Sequence, residues 1–272
     1  MLTGEPKKST EKYRNVLVKQ GKTIYVDEWK HEKQEVEIRV QKRRKFFKGE
    51  IAIEIGGPSD IFSKSGLFPV YGLLRGIDNY NFSANTVWMG KIPGGSRVVF
   101  ADDSSDHYYQ HIGEGANLPV ESNMYKVLLS SHVLEHMANP LRALFEWRRV
   151  LKPRGVLLLI MPHKGATPDH LRPDTEKEHF LEDYTNDTDE DDLTHLDEIL
   201  ELHDLSRDPW VASMDAFKIR SLNNFNNRCL HHHVFSDEML RWMLNYTGFK
   251  VLSIEVVPPC HVIIVSRVKR RW

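Results

Sequence analysis

From Lys126 to His163 the chain reads KVLLSSHVLEHMANPLRALFEWRRVLKPRGVLLLIMPH, and no other stretch limits the fold as tightly. Lys126 to Ser130 is an apolar run that predicts a strand. Asn139 to Leu151 sets Leu141, Leu144, Phe145, Trp147 and Leu151 near helical spacing. Pro153 and Gly155 end that helix, and Gly155 to Met161 predicts a second strand. A strand, a crossover helix and a strand build a parallel sheet, whose chemistry sits at the carboxyl ends of its strands. Here those ends carry Ser130, Ser131 and His132 after the first strand and His163 after the second.

The same alternation is expected on either side. Glu50 to Ile55 predicts a strand that runs into Gly56-Gly57-Pro58-Ser59 and then a helix start. Tyr71 to Ile77 predicts the next strand, ending at Asp78, and Arg97 to Ala101 a third. After Ser236-Asp237-Glu238 a helix runs to Thr247 with Gly248 as its stop. Lys250 to Val257 and His261 to Val268 then form an antiparallel hairpin. Residues 164–228 break the rhythm. They carry 14 acids against one lysine between 174 and 204, with a helical piece at Asp192 to His203, and an insertion of that length is functional or a lid. Residues 1–48 form a basic arm, with a helix expected over Glu28 to Lys48 and the run Lys42 to Lys45 on its solvated face. The domain itself spans 49–272.

Global composition excludes several classes. The net charge of −1 gives no electrostatic footprint for nucleic acid. Two cysteines, Cys229 and Cys260, offer neither a disulfide framework nor a CxxC zinc site and fit a reducing compartment. The N-terminal residues lack the apolar run of a signal peptide and no stretch is long enough to span a bilayer, so a cytoplasmic protein is expected. Oligomeric state is left open, a homo-oligomer included.

Several groups could bind ligand. Glycines after a first strand let backbone approach closely, and Glu54 within that turn suits a cationic ligand, so Glu54, Gly56, Gly57, Pro58 and Ser59 are candidates. Asp78 is placed to accept from ribose hydroxyls. Glu114, Gly115 and Ala116, ahead of Leu118-Pro119, can meet an adenine edge, and Ser131 and His132 complete the set. His132-Val-Leu-Glu135-His136 also matches the inverted zinc-protease pattern, but it follows a buried strand directly and Asn139-Pro140 leaves little helix to hold ligands.

Taken in order, strand-E-x-G-G, strand-D, E-G-A-x-L-P and SSHVLEHMANPLRALFEWRRVLKPRG resemble the class I S-adenosylmethionine-dependent methyltransferases, in particular the type 11 group. The resemblance covers residues 50–163 and implies a Rossmann-like α/β fold. That fold is a seven-stranded, mainly parallel sheet with an antiparallel last strand, helices on both faces, and here an inserted lid. Two departures stand out. The usual G-x-G-x-G is reduced to Gly56-Gly57-Pro58, and Arg154 replaces the first glycine of L-K-P-G-G. IGGPSDIFSKSGLFPVYG, EHFLEDYTNDTDEDDLTHLDEILELHDLSRD and NRCLHHHVF resemble glycan-modifying members, including methylmannose polysaccharide O-methyltransferases. The resemblance implies S-adenosylmethionine as cofactor and a saccharide hydroxyl as acceptor. A non-sugar small molecule, RNA, or a non-catalytic binding role are the alternatives.

A hydroxyl acceptor benefits from a base, and an imidazole titrates in the right range. His163 is the first candidate and His132 the second. Asp174, His179, Asp183, Tyr184, His231, His232 and His233 are expected around the substrate, with Trp210 and Phe225 available to stack. The carboxylates among them would suit a divalent cation such as Mg²⁺.

Overall fold

The computed structural model describes residues 17–19, 22–24, 42–88, 90–91, 94–95, 107–208, 210–257 and 260–270. Seven strands form the main sheet: β1 (Ile51–Ile55), β2 (Gly76–Asn81), β3 (His107–Ile112), β4 (Tyr125–Ser131), β5 (Leu151–Pro162), β6 (Phe249–Val257) and β7 (His261–Val268). Their order is β3-β2-β1-β4-β5-β7-β6. The first five are parallel, and β7 runs antiparallel to both β5 and β6. Two small antiparallel ladders, Leu17–Lys19 with Lys22–Ile24 and Asn85–Thr86 with Gly90–Lys91, stand apart from it.

The central strands are apolar on both sides because both faces of the sheet are covered. Val127, Leu128 and Leu129 of β4 and Leu157 to Met161 of β5 are fully buried. Helix α1 (Pro140–Val150) follows the sequence reading closely. Pro140 starts it, Asn139 accepts from the Arg142 amide at 3.0 Å as its cap, and Leu141, Leu144 and Trp147 face the sheet. Helix α6 (Asp237–Tyr246), capped by Ser236, lies on the same face and adds Leu240, Met243 and Leu244. Each such side chain stabilises by roughly 1.5–3 kcal/mol when buried.

The opposite face differs from the expectation. It is covered by Phe47, Phe62, Phe68, Val70, Tyr71 and Leu74, from a segment that makes 3-10 turns at Asp60–Phe62 and Tyr71–Leu73. The helix expected after Ser59 does not form: Ser63 is already extended, and Gly66, Pro69 and Gly72 interrupt any longer helix. The strand expected over Tyr71 to Ile77 is displaced for the same reason. Its apolar first half is that second turn, capping the core, and pairing starts only at Gly76. Arg97 to Ala101 lies outside the described residues, and the third strand is His107–Ile112.

Of the basic arm, residues 28–41 also lie outside the described residues. Its last part docks on the sheet: Phe47 is buried, Arg43 pairs with Glu255 at 3.1 Å, and Arg267 stacks on Phe46. The insertion carries α2 (Lys177–Thr185), α3 (Leu196–Leu202), α4 (Met214–Leu222) and α5 (Asn224–Asn227). It has a small core around Ile199 and Phe217, closed by Leu230 just beyond its end. Among the described residues no helix is long and apolar enough to cross a membrane.

Candidate active site

A cavity of about 750 Å³ opens at the carboxyl ends of β1 to β4. Its floor is Ile55 and Gly56 after β1, Tyr80 to Phe82 at the end of β2, Gly113 to Gly115 after β3, and Ser131 to Val133 after β4. The insertion roofs it with Pro168, Asp169, His203, Arg207, Trp210, Arg220 and Arg228, and the residues just after the insertion, Cys229 to His231, complete the roof. Thr86 to Trp88 close one side. The placement is what a parallel sheet dictates, since the loops after its strands are the free ends of a rigid scaffold.

Of the residues expected to meet a cofactor, Gly56, Pro58, Ser59, Glu114, Gly115, Ser131 and His132 line this cavity. Glu54, Gly57, Asp78 and Ala116 do not. Glu54 is fully buried beneath the glycine turn. Tyr71 donates to both of its oxygens at 2.9 Å, Tyr108 donates at 3.1 Å, and the Ser59 amide donates at 3.1 Å. Burial pushes its pKa up to about 7, against the three donors that favour the carboxylate. The glycines fit this packing. A Cβ on Gly57 would lie 2.2 Å from the Glu54 carboxyl carbon, and Gly56, at φ +79°, would strike Val133 at 2.3 Å.

Asp78 is in mid-strand because β2 continues three residues beyond it. Tyr125 donates to it at 2.8 Å and His111 lies at 3.4 Å. Asn81 occupies the strand end instead. Its amide donates to the Gly57 carbonyl at 2.6 Å, which leaves its own carbonyl oxygen as the acceptor on the cavity wall. The Ser131 hydroxyl is buried there with no partner. Glu114 is met by Arg228 at 3.0 Å, and Arg228 also pairs with Glu190 at 2.8 Å and stacks over Phe82.

The histidines sort into two groups. His163 lies off the cavity lining, its ring against Gly165, so the structure does not bring the first candidate base to the site. His132 does line it, and holds a left-handed backbone at φ 54°, uncommon for a residue with a side chain. Its Nε2 pairs with His261 Nδ1 at 3.0 Å, and its Nδ1 is 3.4 Å from Glu135. Burial, then His132, holds the pKa of His261 down at about 3.

Of the seven residues expected around substrate, only His231 lines the cavity. Asp174 pairs with Lys164 at 2.8 Å, and Tyr184 packs on Phe145. His232 is buried against Asn224. His179, Asp183 and His233 form a separate knot with His195. In it His179 and His195 meet at 2.8 Å and His233 meets Asp183 at 2.9 Å. Phe225 is outside the lining, whereas Trp210 and the unforeseen Trp88 belong to it.

The cavity residues that the sequence reading did not place at the site are Asn81, Trp88, Glu135, His136 and Asp169, the last held by Arg172. Glu135 and His136 sit in a one-turn 3-10 helix, Leu134–His136, and both line the cavity. The H-x-x-E-H string contained them, and the three-histidine run contained His231, but no spacing rule joins residues 95 positions apart. Glu135 is 1% exposed, and neither carboxylate oxygen has a hydrogen-bond partner. Burial raises its pKa, but His132 and His136 outweigh that and leave it lowered. Burial holds His136 at about 4. Burial would also lower His231, yet Asp169 beside it raises it.

A family model described as a methyltransferase domain matches residues 98–159. No curated protein matches the chain. Among solved structures, it is similar to a methyltransferase from Aquifex aeolicus at 11% identity, covering 85% of this chain and 88% of that one, with a TM-score of 0.43. It is similar to a methyltransferase from Methanosarcina mazei at 10% identity, covering 82% and 94%, with a TM-score of 0.48. It is also similar to the methyltransferase CalH in complex with S-adenosylhomocysteine at 12% identity, covering 87% and 55%, with a TM-score of 0.46. The weight rests on the family match and on the strand order, in which one antiparallel strand enters between β5 and β6. Together they support the class I S-adenosylmethionine-dependent methyltransferase fold for this chain.

Proposed function

We propose that the protein transfers a methyl group from S-adenosylmethionine to a hydroxyl oxygen of a small polyhydroxylated acceptor of the saccharide class. One observation carries the reading. A single cavity has a floor of strand-end backbone and small side chains, and a roof of aromatic, imidazole and charged groups. The floor suits a nucleoside-bearing cofactor. Tyr80, Asn81 and Gly113 to Gly115 would hold its nucleoside part, and Gly56, Ser59 and Ser131 the remainder. The unpartnered Ser131 hydroxyl and the Asn81 carbonyl are the polar atoms such a ligand needs. The bound cofactor supplies a methyl group already activated on a sulfonium.

The rest falls to the roof. Trp88 and Trp210 offer flat faces for a sugar ring, and Arg207, Asp208 and Arg220 offer hydrogen bonds to its hydroxyls. Holding the acceptor oxygen in line supplies much of the rate in such a transfer. His132, the strand-end imidazole that lines the cavity, takes the hydroxyl proton on Nε2 by exchanging its contact with His261 for the acceptor, in the role first sought at His163. Calorimetry with S-adenosylhomocysteine, followed by a labelled-methyl screen over sugars and glycolipids with and without EDTA, tests the reading. S-adenosylhomocysteine should bind and label should enter a carbohydrate; absence of binding overturns the proposal.

A further inference from the structure

The geometry points to a divalent transition-metal site formed by Glu135, His136 and His231, open to the cavity, that binds the hydroxyls of the acceptor. Each of the three offers one ligand atom, and these atoms lie within 4.8 Å of one another. All three residues line the cavity.

The surroundings are those of ligands held for a metal. His136 Nδ1 is engaged by the Leu230 carbonyl at 3.1 Å, and His231 Nδ1 by the Asp169 carboxylate. Each contact fixes a tautomer with a proton on Nδ1 and leaves the Nε2 lone pair free, which is how metal-binding imidazoles are oriented. Asp169 is itself fixed by Arg172 at 3.0 Å, and Arg172, 1% exposed, also donates to the His231 and His232 carbonyls. The third member explains itself the same way. Glu135 is a buried carboxylate with two unpartnered oxygens, a costly arrangement unless a cation completes it. Besides the two imidazoles, His132 Nδ1 lies 3.4 Å from one of its oxygens, a long contact that leaves room for a cation.

The donor set indicates the ion. Two imidazole nitrogens and one carboxylate suit Mn²⁺, Fe²⁺, Co²⁺ or Zn²⁺ better than Mg²⁺, which prefers oxygen throughout. Three protein ligands leave coordination positions free, as at catalytic rather than structural sites. Because all three residues line the cavity, adjacent hydroxyls of a sugar bound there would be in reach to chelate the ion and be acidified. This role for the ion rests on the methyl-transfer reading; its binding does not. The other imidazole group, His179, His195 and His233, also lies within ligand distance, but its nitrogens pair with one another and with Asp183, and none of the three lines the cavity.

The test uses the full chain stripped with chelator and titrated calorimetrically with Mn²⁺, Zn²⁺ and Mg²⁺, with metal content measured by mass spectrometry. Mn²⁺ or Zn²⁺ should bind at a site at least about 10-fold tighter than Mg²⁺ does, following the donor preference. Glu135→Gln and His231→Gln should each abolish it, and Asp169→Asn should weaken it by about 10–100-fold. His195→Gln should leave it intact. Circular dichroism and S-adenosylhomocysteine binding, both unchanged, show that each variant is folded. The inference is overturned if the stripped wild type binds neither transition ion, if binding survives both Glu135→Gln and His231→Gln, or if it is lost only in His195→Gln. Chains that bind S-adenosylhomocysteine but no metal sink this inference alone, and a failure to bind S-adenosylhomocysteine sinks the methyl-transfer reading instead.

Discussion

The floor and the roof of the cavity treat polar groups in opposite ways. Beneath the floor, Glu54 and Asp78 are turned inward and taken up by tyrosine hydroxyls, so they serve the scaffold. On the roof side, Glu135, His136 and His231 are held firmly at one end and left open at the other. A charged residue near a strand end is therefore a poor guide to ligand binding until its partners are known. Satisfied groups build the site, and unsatisfied ones act in it.

The largest effect that should separate the two regions is catalytic. His132→Ala should lower single-turnover methyl transfer by ~10²–10⁴-fold, the usual loss for a general base, with S-adenosylhomocysteine affinity kept. His163→Ala, off the lining, should stay near wild type. The reverse result would return the base to the end of β5 and break the comparison.

Next is the support of the roof. Arg172 is a buried cation that ties Asp169, Glu198 and two backbone carbonyls together. Arg172→Met should destabilise the fold by about 3–5 kcal/mol in urea denaturation, because it strands a buried carboxylate. A loss below about 1 kcal/mol, the value of a surface pair, would show the roof to be loosely held.

The floor has a pH signature. Glu54 has its pKa raised in the fold to about 7 from 4.5. Between those values the folded chain binds more protons than the unfolded one. Its stabilising contribution is complete below pH 4.5 and is lost as pH rises through about 7. The slope in that window should reach about 1.4 kcal/mol per pH unit at most. Glu54→Gln should flatten it, and an unchanged slope would mean that Glu54 is not the group responsible.

The smallest effect sharpens the boundary between scaffold and site. Asn81→Ala should weaken S-adenosylhomocysteine by roughly 0.5–1.5 kcal/mol, the net value of one neutral hydrogen bond. Asp78→Asn, which keeps an acceptor for Tyr125, should leave affinity unchanged. If Asp78→Asn is the damaging variant, the ribose contact lies where the sequence first suggested.

Much of the fold was legible. The β4–α1–β5 unit, the Ser236 cap and the final hairpin follow from periodicity and capping chemistry, which act over a few residues. The misreadings fall where an apolar run could be read two ways. Tyr71 to Leu74 has the composition of a strand, but the core on that face needed a plug and Glu54 needed a donor. Placing the strand too early made Asp78 its end and hid Asn81. His107–Ile112, whose sequence HYYQHI is mostly polar and aromatic, gave no continuous apolar signal.

By itself, then, the sequence determined the layered α/β sheet, the position of its free loops and the long break in the strand–helix rhythm after β5, because helical and strand periodicity, caps and breakers are local properties. The tertiary structure alone decided which polar residues face the cavity. Whether Glu54 meets a tyrosine or a ligand, and whether His231 arrives beside Glu135, depends on how segments far apart in the chain pack. The burial and partnering that follow from that packing set the chemistry of each group.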